Sequence, residues 1–267
     1  MSHLLSRPSR ADADGCVQRI TPASAAWQYV GFEHYQLDPG RQLKIEADER
    51  ERCLVIVSGK ADMRAGGEAF VDLGQRMSAA EPLKPVSLYV PAGTVAQVTA
   101  RTALELAVCS APGGGEHPVR LIAGDDVGYS VRGQGSNTRY VYDILPDSVD
   151  WAESLLVVEV RTPSGNWSSY PPHRHDEDDL PRQSLLEETY YHRIFPASGF
   201  AFQRVYSDDH SLDEAMVVQD GDVVLVPRGY HPYGVPHGYE GYYLNVMAGP
   251  TRKWVFFNHP DHAWLVP

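Results

Sequence analysis

The chain has 267 residues and carries 23 Lys and Arg against 35 Asp and Glu, a formal net charge of −12. Such an acidic balance argues against a nucleic-acid binder, because phosphate contacts need clustered basic side chains and none are gathered here. Hydrophobic residues at 43% and charged residues at 22% exclude wholesale disorder. The 23 Gly and 20 Pro, spread along the chain, favour many turns and short strands over long helices. Three cysteines, Cys16, Cys53 and Cys109, contain no C-x-x-C pair and make no disulfide framework. The start, MSHLLSRPSRADADG, lacks the apolar core of a secretory signal, and no segment has the apolar length of a bilayer span. A soluble, cytoplasmic protein without a membrane or nucleic-acid partner is expected.

In chain order, residues 1–26 are polar and are expected to be a loosely ordered lead. Strand-like runs closed by turn residues follow: CLVIVSG (53–59), FVDLG (70–74), SLYVPAG (87–93) and LELAVCSAP (104–112). A Gly-rich polar stretch, 113–135, separates them from YVYDIL (140–145), SLLVVEVRTP (154–163), ETYYHRIF (188–195), FAFQRVY (200–206), EAMVVQDGDVVLVPRG (214–229) and YYLNVMAG (242–249). Enrichment in Val, Ile, Tyr and Phe between Gly, Pro and Asp boundaries is a strand-and-turn signature. Only 147–154 and 78–84 suggest a helical turn.

The two halves echo each other. SLYVPAGTVAQV (87–98) and VVLVPRGYHPYG (223–234) each run from an apolar strand through Val-Pro-x-Gly into extended chain, and VSGKADM (57–63) and FPASGFAF (195–202) each place a Gly between two strands. The echo predicts two similar β-barrels from a duplicated unit, 27–129 and 130–267.

Eight of the 11 histidines lie beyond residue 130. Within SSYPPHRHDED, His173 and His175 stand at i and i+2, so on an extended strand both imidazoles project from one face. Neutral imidazole suits Zn, Mn, Fe and Ni. An isolated H-x-H beside an acidic run is more often a solvated loop; the rest of the chain shifts the balance. LLEETYYHRIF offers Glu187 and Glu188 at the mouth of a strand, and VPRGYHP sets His231 just past a Pro-x-Gly turn.

This arrangement of two histidines, a carboxylate on the next strand and a third histidine on a later hairpin resembles the cupins. The span 221–231 is similar to the second cupin motif, and His173-Arg174-His175 with a downstream Glu to the first. The gap from His175 to Glu188 is longer than in the usual motif, the glycine before H-x-H is further away, and the turn before His231 is one residue short. With PPHRHD, LEETYY, FAFQRVYSDDHSLDEAMVVQDGDVVLVPRGYHP, YYLNVMAGP and PDHAWL, the chain resembles the 5-deoxy-glucuronate isomerases of inositol catabolism, which group with the 4-deoxy-5-hexosulose-uronate isomerases of pectin breakdown. The resemblance is dense from 151 to 265 and thin before that. It implies an all-β bicupin with few short helices and a metal site in the C-terminal barrel, held by His173, His175, Glu188 and His231. The first half has Val90-Pro91-Ala92-Gly93-Thr94-Val95 where the second has His231, and no H-x-H, so its barrel is expected to be structural.

Glu187 and Glu188 face opposite sides of a strand, so only one enters the barrel. The resemblance selects Glu188, and parity puts Tyr190 and His192 on its face. The implied reaction is an intramolecular aldose–ketose isomerisation of a deoxy-uronate through an enediolate, with a divalent ion as Lewis acid. Zn or Mn is favoured, and Fe or Ni is compatible. Tyr190, Glu187 and a metal-bound hydroxide are open as the base, with Tyr190 the catalytic candidate. A guanidinium suits the substrate carboxylate. Arg228 and Arg204 rank ahead of Arg193 and Arg252, and Asn245 is a candidate contact to a sugar hydroxyl. A homo-oligomer is expected. The rival readings are a cupin Fe(II) dioxygenase, a non-catalytic sugar-binding bicupin and the pectin-pathway isomerase.

Overall fold

A computed structural model describes residues 2–266. Among the described residues strands dominate, and the helices are short: one α-turn at Pro22–Ala25 and 3-10 turns at Gly124–Asp126, Gly135–Asn137 and Pro260–Leu265. The chain divides into two compact units. One comprises Pro8–Gly128 and Asp143–Val157; the other holds the remainder of the described chain.

The first unit is a pair of antiparallel sheets. Its six-stranded sheet runs in the order Arg120–Ile122, Val86–Val90, Arg50–Ser58, Leu104–Pro112, Gly31–Leu37, Cys16–Ile20. Its four-stranded sheet runs Gln42–Ile45, Ala96–Ala100, Ala61–Ala65, Glu68–Leu73. Side chains from both enclose one apolar core that includes Leu54, Ile56, Met63, Leu88, Val98, Leu106 and Val108. Alternation on Gln42–Ile45, exposed then buried, is the two-residue period of a half-covered sheet.

The second unit repeats this plan. A seven-stranded sheet runs Leu5–Ser6, Val223–Val226, Glu187–Phe195, Glu240–Ala248, Leu156–Thr162, Arg139–Leu145, Gly128–Arg132. A four-stranded sheet runs Trp167–Ser168, Tyr233–Gly234, Ala201–Tyr206, Asp213–Val218. Two short ribbons, His173–Arg174 with Phe257–Asn258 and Asp176–Asp179 with Gln183–Leu185, complete it. Double-sheet barrels of this kind leave few open strand edges.

Three local expectations differ from the structure. The lead segment is ordered: Leu5–Ser6 pairs with Val223–Val226 and Cys16–Ile20 with Gly31–Leu37. Its polar composition concealed strands whose partners are distant in sequence. The segments 78–84 and 147–154 are turns without helix, since one hydrogen-bonded turn is too short to nucleate. The α-turn sits instead at Pro22–Ala25, where Thr21 and Ser24 form a reciprocal cap and Pro occupies the first turn.

Candidate metal centre and cavity

The site grows from the strand Glu187–Phe195, which lies between Val223–Val226 and Glu240–Ala248 with Glu188 opposite Val226 and Met247, and Tyr190 opposite Val224 and Asn245. Every residue from Glu188 to His192 is buried, so burial does not tell the two faces apart. Side-chain contacts do: Glu188 meets His175 and His231, and the Tyr190 and His192 rings stack at 5.9 Å.

Each ligand-type side chain is aimed by backbone. His175 Nδ1 lies 3.2 Å from the Leu186 carbonyl, and His231 Nδ1 lies 2.9 Å from the Gly229 carbonyl. A carbonyl only accepts, which assigns the proton to Nδ1 and leaves Nε2 with its lone pair. Those Nε2 atoms face Glu188 Oε2 at 3.1 Å and 3.3 Å. The carboxylate is itself fixed by Asn245 Nδ2, which donates to Oε1 at 2.6 Å. The turn that delivers His231 depends on Gly229. Its φ is +88°, and a Cβ there would lie 2.4 Å from the Tyr206 carbonyl oxygen.

His175, Glu188 and His231 form a group whose ligand atoms all lie within 4.8 Å of one another. His231 Nε2 is buried without a hydrogen-bond partner. Lone pairs converging on a carboxylate oxygen in a dry interior call for a cation between them, and two imidazoles with one carboxylate suit a divalent first-row ion. The residues therefore fit a metal. His173 is not part of that three-residue group. It sits at its border, with its ring 4.8 Å from that of His231 and 6.3 Å from that of His175.

Burial sets the electrostatics. It lowers His231 and His173 to about 3, holding both imidazoles neutral and ready to ligate. Burial also pulls His175 down, but Glu188 favours the protonated form, through the hydrogen bond that form would donate and through its charge, and the net shift is upward. Burial, and then the Glu188 charge, push the Tyr190 phenol well above its ordinary value, so it stays protonated at neutral pH. Tyr190 is thereby a hydrogen-bond donor and a poor base, which narrows the role expected of it from sequence.

A cavity of about 380 Å³ opens beside this group. His173, Tyr190 and Asn245 line it, together with Ser169, Tyr243, Trp254 and Phe256. Ser169 Oγ joins the Tyr190 hydroxyl at 2.9 Å and the Tyr243 hydroxyl at 3.4 Å. Glu187 is half-buried and lines neither the cavity nor the three-residue group.

Two of the expected substrate residues lie elsewhere. Arg204 makes a two-pronged ion pair with Asp213, both contacts at 2.7 Å, and covers the Tyr206 ring. Its neighbour Gln203 takes the inward face of Ala201–Tyr206, so Arg204 points outward. Arg228 is exposed at the turn and donates to Ser211 Oγ. The guanidinium groups in the cavity wall belong to Arg132 and Arg139. Arg132 falls in the Gly-rich polar stretch 113–135 that separates the strand runs of the two halves, where no strand parity could be read. Arg139 had a usable signal: in RYVYDIL it shares strand parity with Val141, which also lines the cavity.

Comparison with known proteins fits this geometry. The profile of the KduI/IolB family matches residues 4–265. The chain is 55% identical, over its whole length and 96% of the other protein, to a 5-deoxy-glucuronate isomerase of Geobacillus kaustophilus. It is 47% identical to the one of Bacillus subtilis strain 168, covering 99% of that protein. The crystal structure of an IolB-like protein from Salmonella typhimurium LT2 superposes with a TM-score of 0.96 at 53% identity, covering 99% of each chain. Lactobacillus farciminis oxalate decarboxylase matches at a TM-score of 0.68 and 14% identity, over 100% of this chain and 91% of that one, a likeness of fold alone. The architecture is that of a bicupin. With a family match across nearly every residue and full-length relatives at such identity, the chain belongs to the KduI/IolB family.

Proposed function

We propose that the protein is an aldose–ketose isomerase that converts 5-deoxy-D-glucuronate to 5-dehydro-2-deoxy-D-gluconate. The observation that carries this reading is the full-length relationship, at 55% identity, to a relative of that name. The geometry supplies the means. His175, Glu188 and His231, joined by His173 from the cavity side, would hold a divalent ion. Zn²⁺ or Mn²⁺ is favoured, and Fe²⁺ or Ni²⁺ suits the same donors. When bound, such an ion supplies Lewis acidity to an aldehyde and its neighbouring hydroxyl. The chain's own groups do the rest. Asn245 holds the Glu188 carboxylate in one orientation through its 2.6 Å hydrogen bond. Tyr190, kept as a phenol and positioned by Ser169, donates to a substrate oxygen on which charge develops. Trp254 and Phe256 line the cavity with apolar surface and limit water around the reacting carbons. A homo-oligomer in the cytoplasm is the setting we assign to it.

The test is proton NMR of 5-deoxy-glucuronate incubated without oxygen with protein purified in the absence of chelator, alongside metal analysis. Conversion to a hydroxymethyl ketone is expected, abolished by chelation and restored by a divalent ion. A requirement for O₂, or turnover confined to 4-deoxy-5-hexosulose-uronate, overturns the proposal.

A further inference from the structure

We propose that Arg139, with Arg132 beside it, reads the carboxylate of the substrate and sets the preference of the cavity for acidic over neutral sugars. This rests on the isomerase reading above, and names the residues that choose its substrate class. Arg139 and Arg132 line the same cavity as His173, Tyr190 and Asn245, the side chains that border the converging ligand group. Both arginines are half-buried.

A guanidinium removed from water needs an anion or several acceptors. Arg139 has neither in full. Its Nη1 donates to the Asn137 carbonyl at 3.1 Å, and the titratable groups acting on it are Tyr243, Arg132 and Tyr190, with no carboxylate among them. Burial is the main cause that lowers its pKa, and the positive charge of Arg132 adds to it. The cavity lining thus carries two guanidinium groups whose positive charges repel each other, Arg132 over the Trp254 ring at 5.5 Å and Arg139 beside the Asn137 carbonyl. A substrate carboxylate would relieve that repulsion with charge-assisted hydrogen bonds. The loop is shaped for it: Gly133 has φ +78°, and a Cβ there would lie 2.7 Å from Arg139 Nη1 and closer still to the Asn137 carbonyl. Arg204, by contrast, is saturated by Asp213.

Two measurements on the metal-loaded full chain separate this inference from the activity. In steady-state kinetics, Arg139→Gln is expected to raise the KM for 5-deoxy-glucuronate about 10- to 100-fold, the loss of a hydrogen-bonded charge, with metal content unchanged. Arg139→Lys should recover part of it. Calorimetry compares two unreactive probes, D-gluconate and D-gluconamide. Wild type and Arg204→Gln should prefer the acid about tenfold or more, and Arg139→Gln should lose that preference. If wild type turns over the uronate while Arg139→Gln leaves both the KM and the acid preference intact, the inference fails and the function stands. If wild type does not turn over the uronate but the acid preference vanishes in Arg139→Gln, the function fails and the carboxylate site stands.

Discussion

The two barrels share a register and differ in what fills it. In the first, Leu54 is paired with Leu88 and Val108, and Ile56 with Leu106. In the second, Tyr190 takes the place of Leu54, paired with Val224 and Asn245, and His192 takes that of Ile56, paired with Tyr243. Arg52 opposite Val90, just before Pro91, corresponds to Glu188 opposite Val226, just before Pro227. One barrel thus spends its interior on a contiguous apolar core; the other replaces an apolar quartet, Leu54, Ile56, Leu106 and Val108, with Tyr190, His192, Tyr243 and Asn245. Backbone pairing alone does not make a site. It sets positions, and polar side chains at those positions then need partners, which the second barrel supplies as hydroxyl, amide and imidazole contacts.

A second contrast concerns buried carboxylates. Glu51 in the first barrel is fully enclosed, yet it accepts from four donors: the Tyr89 hydroxyl at 2.7 Å and the backbone N–H groups of Glu153, Ser154 and Leu155 at 2.9, 2.6 and 2.6 Å. Such a charge is satisfied and structural. Glu188 has one donor, Asn245, and two imidazole nitrogens that lack protons when their Nδ1 atoms bond to carbonyls. That leaves room for a cation in the second case and none in the first.

Breaking the comparison starts with the carboxylate. Glu188→Gln should remove the metal seen by elemental analysis and lower turnover by about 10³-fold or more. Arg52→Gln at the matching position, and Glu187→Gln beside it, should leave metal content unchanged. Metal retained in Glu188→Gln would place the ion elsewhere. Next, Leu54→Ala should cost about 2–5 kcal/mol, because the packed core cannot close over the missing methylenes. It should appear as a lowered thermal transition, with metal per folded chain unchanged. A matched loss of metal would show that the first barrel supports the site directly. Tyr190→Phe, the counterpart of that change, should cost about 1 kcal/mol through the lost Ser169 hydrogen bond, less than Leu54→Ala, and lower kcat about 10- to 100-fold with metal bound, since the donor to the substrate is removed. An unaltered kcat would exclude the phenol from the chemistry. The smallest effect is expected at Arg204: Arg204→Ala breaks an exposed ion pair worth about 0–1 kcal/mol and should leave KM within twofold of wild type. A large rise in KM would return Arg204 to the candidate list for substrate binding.

Part of the candidate site's local geometry was legible along the chain. The i, i+2 spacing of His173 and His175 and the parity that separates Glu188 from Glu187 are properties of an extended backbone and need no tertiary knowledge. The Val-Pro-x-Gly echo likewise marked the turn before His231: Gly93 and Gly229 both stand at positive φ, which favours Gly, and at Gly229 a Cβ would also meet the Tyr206 carbonyl. Arginine placement was not legible. Strand parity says that Arg204 and Gln203 face opposite sides but not which side is the interior, and that depends on how the sheets pack. The short strands of the lead segment were hidden for a related reason: Leu5–Ser6 has strand character only because Val223–Val226 accepts it as an edge partner.

By itself, then, the sequence determined the strand-and-turn architecture, the duplication, and which residues share a face within each strand. Those are short-range consequences of backbone geometry and steric limits on φ and ψ. Tertiary structure decided that His175 and His231 turn their Nε2 atoms toward Glu188 while His173 stands at the cavity wall, and that Arg132 and Arg139 enter that wall in place of Arg204 and Arg228. Convergence of groups far apart in sequence depends on pairing register and on which carbonyls meet each imidazole. Both are settled only when the sheets close and every buried polar atom competes for a partner.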